Sequence, residues 1–460
     1  MESATQNKMG TSPMLKLIVS MSLPSIFSML VQSLYNVVDS MFVSWYSPDA
    51  LTAVSLAFPI QSLLIAVAVG TGVGINSLVS RRLGEGRQEE ASRAATHGIL
   101  LGAFSWVIFA LYGIFGTRAF FASFTENPVV FDMGVSYLSI VTIMSFGMLI
   151  EVNLEKTLQA TGNMIYPMLF QLTGAVTNLI LDPIMIFGLL GFPKMGVAGA
   201  ALATVLGQIL AMVFSLIVIF KKKHAIHITF KKFKFNWRAV RDIYAVGLPS
   251  IIMQSIGSFM TMGINAILVG FSEIAVSVFG IYFKLQSFVF MPVFGLTHGV
   301  MPIMGFNYGA KNKRRVMDAL KFGSIIACGI MLLGTLLFWI FPKELLAIFN
   351  ASEELYAIGV PALRLISLCF VPAAIGIIFS TLFQAVGMGA RSLFISVLRQ
   401  LVVLLPVAYL LSKIGLESVW YAFPIAETVS LAASLLIFAS LYRKHLHHLG
   451  EDIAPEQIPA

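Results

Sequence analysis

The sequence predicts an all-α polytopic membrane protein with twelve transmembrane helices, arranged as two parallel six-helix repeats around a central cavity. Three observations carry this expectation. First, 58% of the 460 residues are apolar and 11% are charged, with a mean hydropathy of +0.88; soluble domains carry about 25% charged residues. Second, apolar runs of about 18–20 residues or more recur along the chain. Third, Gly, Pro and Gln anchors recur at one fixed offset of 225 residues. A soluble enzyme, a coiled coil and a disordered chain are excluded. The alternating ten-residue segments of a membrane β-barrel are missing.

Breaks between the apolar runs place spans starting near residues 15, 52, 93, 132, 165, 196, 242, 276, 317, 354, 391 and 416. Met1 to Lys16 is polar and lacks a small-residue cleavage site, so the first run is expected to be a true span rather than a signal peptide. Basic residues alternate between loops. One side holds Lys8, Arg81, Arg82, Arg87, the cluster from Lys221 to Arg241 (with Lys232), Lys311, Lys313 to Arg315, Arg391, Arg443 and Lys444. The other holds Arg118, Lys194, Lys343 and Lys413, a bias of 19 to 4. The first side is expected to be cytoplasmic, with both termini there, in a plasma (inner) membrane. The charge of +8 thus reflects topology and not nucleic-acid binding. Cys328 and Cys369 fall inside apolar runs and are expected to pack as small hydrophobes.

At the offset of 225, Leu23-Pro24-Ser25-Ile26 falls on Leu248-Pro249-Ser250-Ile251, and Gly70, Gly74 and Gly84 fall on Gly295, Gly299 and Gly309. Phe124, Gly134 and Val135 fall on Phe349, Gly359 and Val360, and Gln159, Ala160 and Gly162 on Gln384, Ala385 and Gly387. The last two helices of each half align after a gap of six, Gly196 on Gly415. The expected domains are a six-helix lobe over 1–220, a basic linker over 221–241, a second lobe over 242–445 and a cytoplasmic tail over 446–460. Six spans per half make the repeats parallel, about an axis along the membrane normal. Such a duplication suits alternating access in a secondary transporter working as a monomer. The linker interleaves Phe230, Phe233, Phe235 and Trp237 with lysines; it suits either a segment resting on anionic lipid headgroups or a plain tether.

No GxxxxGK[ST], HExxH or intramembrane-protease motif is present, so no catalytic residues, cofactor or resident metal are expected. The histidines His445, His447 and His448 suit a solvated tail. Uphill transport then requires an ion gradient and ionisable groups within the membrane, where each charge costs about 2.5–3.5 kcal/mol on insertion scales. Asp39 lies roughly 36 Å along the first helix and Asp182 roughly 26 Å along the fifth, at 1.5 Å per residue. Both helices run outward, so both acids belong to the outer half of the membrane. Asn178 precedes Asp182 by one turn; Tyr35 and Asn36 precede Asp39 likewise; Thr204 lies roughly 12 Å into the sixth helix. This hard, oxygen-rich set could hold Na⁺, or its two carboxylates could share one H⁺. Pro183 frees the carbonyl of Leu179, and Pro24 that of Ser20. Asp39 and Asp182 fall on Ile264 and Val407 in the second half, which confines ion coupling to the first.

Four further residues are substrate-cavity candidates: Glu427, Arg399, Glu151 and His298. Glu427 could pair with Arg399 or meet a cationic substrate, and His298 could titrate or simply pack. Glu155, beside Lys156, suits a structural role. Arg364 is expected to face a polar cavity. The 37 Phe and 23 Met would line a pliable pocket for amphiphilic organic cations, though they equally suit lipid-facing surfaces.

The twin halves resemble the multidrug and toxic compound extrusion (MATE) family. The resemblance rests on the Leu23-Pro24…Asp39 helix, the Gly84-Glu85-Gly86-Arg87 loop with its mate Gly309-Ala310-Lys311-Asn312, the Gln159-Ala160-Thr161-Gly162-Asn163 turn and the run from Asn178 to Pro183. It spans essentially the whole chain and is closest to the bacterial branch with an acid pair in the first half. In that branch, the resemblance implies, Asp39, Asn178, Asp182 and Thr204 stand at cation-binding positions, with Tyr35 nearby. It also implies H⁺- or Na⁺-driven efflux of amphiphilic, often cationic, compounds. The acids that other members carry in the second half have no counterparts here, and Arg364 is the charge in helix ten. An alternative is a flippase for a lipid-linked sugar or another anionic lipid precursor, which would need a cationic cavity built from Arg364, Arg399, Lys284 and His298.

Overall fold

The computed structural model describes residues 7–231 and 233–449; Lys232 of the linker and the 450–460 portion of the expected tail lie outside them. Every regular element among the described residues is helical. The spans are α1 (Met14–Tyr46), α2 (Pro48–Gly84), α3 (Gln88–Phe115), α4 (Pro128–Ile143 with Phe146–Ala160), α5 (Ile165–Phe187) and α6 (Val197–Lys221). The second half follows with α7 (Trp237–Val269), α8 (Glu273–Gly309), α9 (Lys313–Ile340), α10 (Glu353–Ser367 with Phe370–Ala385), α11 (Gly389–Ser412) and α12 (Leu416–Leu446). Ten are continuous and long and apolar enough to cross a membrane. The two bent pairs bring the total to twelve. The chain is a multi-pass membrane protein.

The bends in α4 and α10 are both 44°. In α4 the hydroxyls of Thr142 and Ser145 donate to the carbonyls of Leu138 and Thr142, at 2.6 and 2.8 Å, beside the break. Hydroxyls that compete for helix carbonyls loosen the ladder. In α10, Pro372 has no N–H for the carbonyl of Leu368. The turns after the bent spans match in the two halves: Gly162 and Gly387 hold φ of +88° and +87°, which only glycine adopts without strain. Behind them Asn163 N–H donates to the Leu158 carbonyl at 3.2 Å and Met388 N–H to the Phe383 carbonyl at 2.7 Å.

The chain packs as two compact units. One comprises residues through Ile26, Ser80–Gly86 and the chain from Ile252 onward; the other comprises Phe27–Val79 and Arg87–Ile251. These units follow the repeat halves except at the first helix of each half and at Ser80–Gly86, the end of α2. α1 passes from one unit to the other just after Pro24, and α7 just after its mate Pro249. Glycines of the second helices make these exchanges possible. A Cβ on Gly70 would lie 2.5 Å from Ile251 Cγ1 and 2.8 Å from its backbone N, and one on Gly74 would strike the Ile243 carbonyl. In the other unit a Cβ on Gly295 would lie 2.6 Å from Ile26 Cα, and one on Gly299 would strike Ser22. Small residues let helix backbones touch where the surroundings supply no hydrophobic drive. The ends of α2 and α8 meet reciprocally, Gly84 against the Phe306 carbonyl and Gly309 against the Arg81 carbonyl.

The linker is docked on α3. Gln88 donates to the Ala225 carbonyl, His227 N–H donates to Ser92 Oγ at 3.0 Å, and Asn236 N–H donates to His97 Nε2 at 2.9 Å. His97 also bonds the Arg93 carbonyl through Nδ1 and meets the rings of Phe233 and Phe235 at tilts of 53° and 48°, with centroids 4.8 and 5.5 Å away. Ile226 and Ile228 are buried, while Phe230, Phe235 and Trp237 stay exposed among the basic residues. Cys328 and Cys369 are free thiols.

Candidate functional site

One unit gathers seven polar side chains from five spans. α5 and α6 approach so closely that a Cβ on Gly207 would lie 2.7 Å from the Gly174 carbonyl oxygen, and one on Gly199 2.5 Å from that of Met185. This contact brings Asn178, one turn beyond Gly174, against Thr204, one turn before Gly207. Both are buried, as is Asp182. The neighbours of the Asn178 amide assign its orientation: Nδ2 donates to Asp182 Oδ2 at 2.8 Å, and Oδ1 accepts from Thr204 Oγ1 and N at 3.0 Å each. Thr204 Oγ1 is also 3.0 Å from the Ala200 carbonyl.

α1 brings Asp39 into hydrogen-bonding reach of Asp182, and Tyr35 into reach of the Thr204 hydroxyl. Tyr137 of α4 is buried beside both acids, and its hydroxyl donates to Gln61 Oε1 of α2 at 3.4 Å. Among the described residues, one oxygen of each acid, Asp39 Oδ1 and Asp182 Oδ1, is buried without a hydrogen-bond donor. Buried polar groups are nearly always paired, so two orphaned acceptors side by side mark a place for a proton or a small hard cation.

The structure therefore brings together Asp39, Asp182, Asn178, Thr204 and Tyr35. Asn36 is not part of this set: it is exposed, and its Oδ1 accepts from Gln32 at 3.4 Å. Periodicity placed Asn36 one turn before Asp39, but at about 3.6 residues per turn Tyr35 and Asn36 lie on opposite sides of Asp39, about 100° apart, and only Tyr35 faces the cluster. Sequence reasoning missed Gln61 and Tyr137. Their signal was a polar group in the middle of an apolar run.

The remaining candidates lie elsewhere. Arg399 and Glu427 pair at 2.9 Å, in the wall of a cavity of about 320 Å³ lined by residues of the other unit. Glu151 is buried on α4, with Oε1 lacking a hydrogen-bond partner among the described residues. Its neighbour Glu155 accepts from Gln159 at 2.7 Å and Gln171 at 2.9 Å and pairs with buried Lys156 at 3.3 Å. The Lys156 stem lies over Gly72 and its ammonium donates to Gln159 Oε1 at 3.1 Å. The glutamine of the Gln159-to-Asn163 turn is thus tied into an ion-pair network. His298 is half-buried on α8 and does not line the cavity. Arg364 is exposed and donates to the Trp339 carbonyl at 3.2 Å, so the cavity-facing position expected for it is not observed. It sits near the end of its half-span, where a long side chain reaches outward to a free helix carbonyl.

The MatE family model matches this chain twice, over residues 24–184 and 249–410. The two matches begin at the two repeat prolines. Multidrug export protein MepA of Staphylococcus aureus (strain MRSA252) is 25% identical over 429 residues, covering 93% of this chain and 94% of that protein. MepA of Staphylococcus haemolyticus (strain JCSC1435) is 25% identical over 432 residues, 94% of each chain. An outward-facing multidrug resistance MATE family transporter of the MOP superfamily superposes with a TM-score of 0.91 at 27% identity, covering 98% of this chain and 100% of its own. A MOP superfamily transporter from Pyrococcus furiosus, described for the reverse polarity of its binding pocket, gives 0.89 at 27% identity, with 98% and 99% covered.

Proposed function

The chain belongs to the MatE family of transporters, and on that premise we propose that it exports amphiphilic, cationic organic compounds by antiport against H⁺ or Na⁺. The observation that carries the proposal is the pair of orphaned carboxylate oxygens on Asp39 and Asp182, beside the hydrogen-bonded chain Tyr35–Thr204–Asn178 that ends on the other oxygen of Asp182. The names of the relatives, multidrug export proteins, support the substrate class.

The protein sits in the plasma (inner) membrane with both termini in the cytoplasm, as the basic-loop bias requires. A coupling ion enters from outside and joins the acid pair. A single H⁺ would complete a carboxyl–carboxyl hydrogen bond, and Na⁺ would take the same oxygens as ligands. Asn178, fixed by Thr204, holds the Asp182 carboxylate in one orientation, so binding reorganises α1, which carries Asp39. That change lowers affinity for the drug on the outer side, and the ion leaves inward in the alternate state. The protein works as a monomer, since the repeat supplies both halves. The exposed Phe230, Phe235 and Trp237 rest among anionic headgroups while the linker lysines face the phosphates.

The anionic-lipid alternative loses its cationic cavity. Glu427 neutralises Arg399, Arg364 is exposed, and Lys284 lies over the Phe349 ring at 5.9 Å. The test is ethidium transport by purified protein in liposomes under separate pH and Na⁺ gradients. Concentrative efflux under one of them is the expected result and identifies the ion; correctly folded protein that moves no dye under either would overturn the proposal.

A further inference from the structure

We propose that Glu151 is a second proton-binding site, separate from the Asp39–Asp182 pair: a buried carboxyl that holds one H⁺ and exchanges it with the side of the membrane on which α4 ends. Glu151 lies in the second segment of α4, Phe146–Ala160, and is 8% exposed. It follows Tyr137 of the acid cluster by fourteen residues, about 21 Å along the span at 1.5 Å per residue. The 44° bend of α4 stands between them. The end of the span at Ala160 is nine residues further on, roughly 14 Å. Glu151 and the groups around it belong to the unit that carries the acid pair.

Charge is one proton short at this place. The charged groups that act on Glu151 are Glu155 and Lys156. Those two are buried and pair with each other at 3.3 Å, so they cancel. The helices packed around them bring uncharged groups. α2 places Gly72 under the Lys156 stem, and α5 contributes Gln171. α6 contributes Gln208, which donates to Met148 Sδ at 3.6 Å. α3 contributes the Gly98 carbonyl, which accepts from Asn153 at 2.7 Å. The titratable neighbour of Gly98 is His97, and both of its ring nitrogens are engaged, by the Arg93 carbonyl and by Asn236 N–H. An ionised Glu151 would leave two carboxylates against one ammonium inside a span, where net charge is costly. One H⁺ removes the excess.

Donors are short as well. Among the described residues, Glu151 Oε1 and Gln171 Oε1 are buried acceptors without a donor. Gln171 is tied to the network through Nε2, which donates to Glu155 Oε2 at 2.9 Å. Glu151 lies one turn before Glu155, on the same face of α4. A carboxyl O–H on Glu151 adds a donor to a network that lacks one, and buried polar groups are nearly always paired. A metal cation would balance the charge too, but it needs several oxygens converging on it. The two oxygens of Glu155 are already engaged by Gln159, Lys156 and Gln171.

The site stands on these counts alone; its role rests on the antiport reading. On that reading a proton that leaves the Asp39–Asp182 pair binds Glu151 on the far side of the bend, and then passes to water where α4 ends.

The test is infrared spectroscopy of full-length protein in liposomes with no ion gradient. It reads the C=O stretch of a protonated carboxyl, which an ionised carboxylate lacks. Asp39→Asn/Asp182→Asn takes the outer pair out of this band and serves as the background. At near-neutral pH without Na⁺, the background should keep a protonated-carboxyl band that shifts in heavy water. Adding Glu151→Gln should lower it by the intensity of one carboxyl. Adding Glu155→Gln instead should lower it equally, because Lys156 then balances an ionised Glu151. This second variant carries the test if Glu151→Gln fails to fold. No such band in the background, a band left unchanged by either substitution, or a band lost on adding Na⁺ would each overturn the site. The role is read separately, as pH-driven dye accumulation in proteoliposomes, most of which Glu151→Gln alone should abolish. Unchanged accumulation in that variant, or no pH-driven transport by the wild type, would overturn the role, and the infrared result depends on neither.

Discussion

Replacing Asp182 tests the coupling site most directly, and the structure dictates which replacement to use. Asp182→Leu would strip the partner from Asn178 Nδ2 and leave Asp39 facing hydrocarbon. At about 1–3 kcal/mol for each buried group left unpaired, the fold would lose roughly 2–6 kcal/mol, and lost transport would be uninterpretable. Asp182→Asn keeps the shape. The introduced amide oxygen still accepts from Asn178, its NH₂ donates to Asp39, and the cost should stay within about 1 kcal/mol. What it loses is the exchangeable charge. A tenfold ion gradient, or one pH unit, is worth about 1.4 kcal/mol per coupled ion. For one ion per drug, the wild type should then hold a steady-state dye ratio of about tenfold across the liposome membrane, and Asp182→Asn a ratio near one. The assay is dye accumulation in proteoliposomes, with dye binding in detergent and the melting temperature as controls. A tenfold ratio that persists in the variant would refute the site. So would a folded variant that has lost dye binding, because the acid would then be holding drug and not ion.

Three other outcomes are expected. Gly309→Val should destabilise by at least about 2 kcal/mol, because its Cβ would strike the Arg81 carbonyl. Gly280→Val, with nothing within 4 Å of its Cβ, should unfold at close to the wild-type temperature; equal losses would deny the close approach. His97→Phe preserves the ring contacts with Phe233 and Phe235 but removes the acceptor for Asn236 N–H. Deuterium exchange over the linker should rise roughly 5- to 150-fold, the equivalent of about 1–3 kcal/mol, and unchanged exchange would mean that the bond does not anchor the segment. Lys156→Ala should cost about 3–5 kcal/mol in thermal unfolding by stranding Glu155, whereas Lys156→Met together with Glu155→Gln should cost much less. Equal losses in the two would show that relieving the charge on Glu155 recovers nothing, and so that the ion pair does not hold the network.

The sequence disclosed what depends on solvent and period. Twelve apolar runs are legible because hydrocarbon forces each span to satisfy its own backbone, and each observed start lies within five residues of its expected place. The repeat is legible because glycine and proline mark backbone geometry: Gly162 and Gly387 share one left-handed turn, and Pro24 and Pro249 share one helix position. The acids stood out because charges within a span are rare.

The partnership of those residues is a different matter. Asn36 and Tyr35 are neighbours in sequence, yet Tyr35 reaches Thr204 while Asn36 turns to Gln32. Gln61 and Tyr137 stand out only as polar groups within apolar runs, and their runs do not say which helix faces meet. Nor could the chain order show that α1 and α7 each divide between two units. The physical reason is one of range. Helix formation and membrane insertion are decided over a single segment, by hydropathy and local hydrogen bonding. The meeting of Asp39 with Asp182, or of Arg399 with Glu427, depends on which helix faces touch, and packing between helices settles that, as the approach of Gly207 to Gly174 does for Asn178 and Thr204.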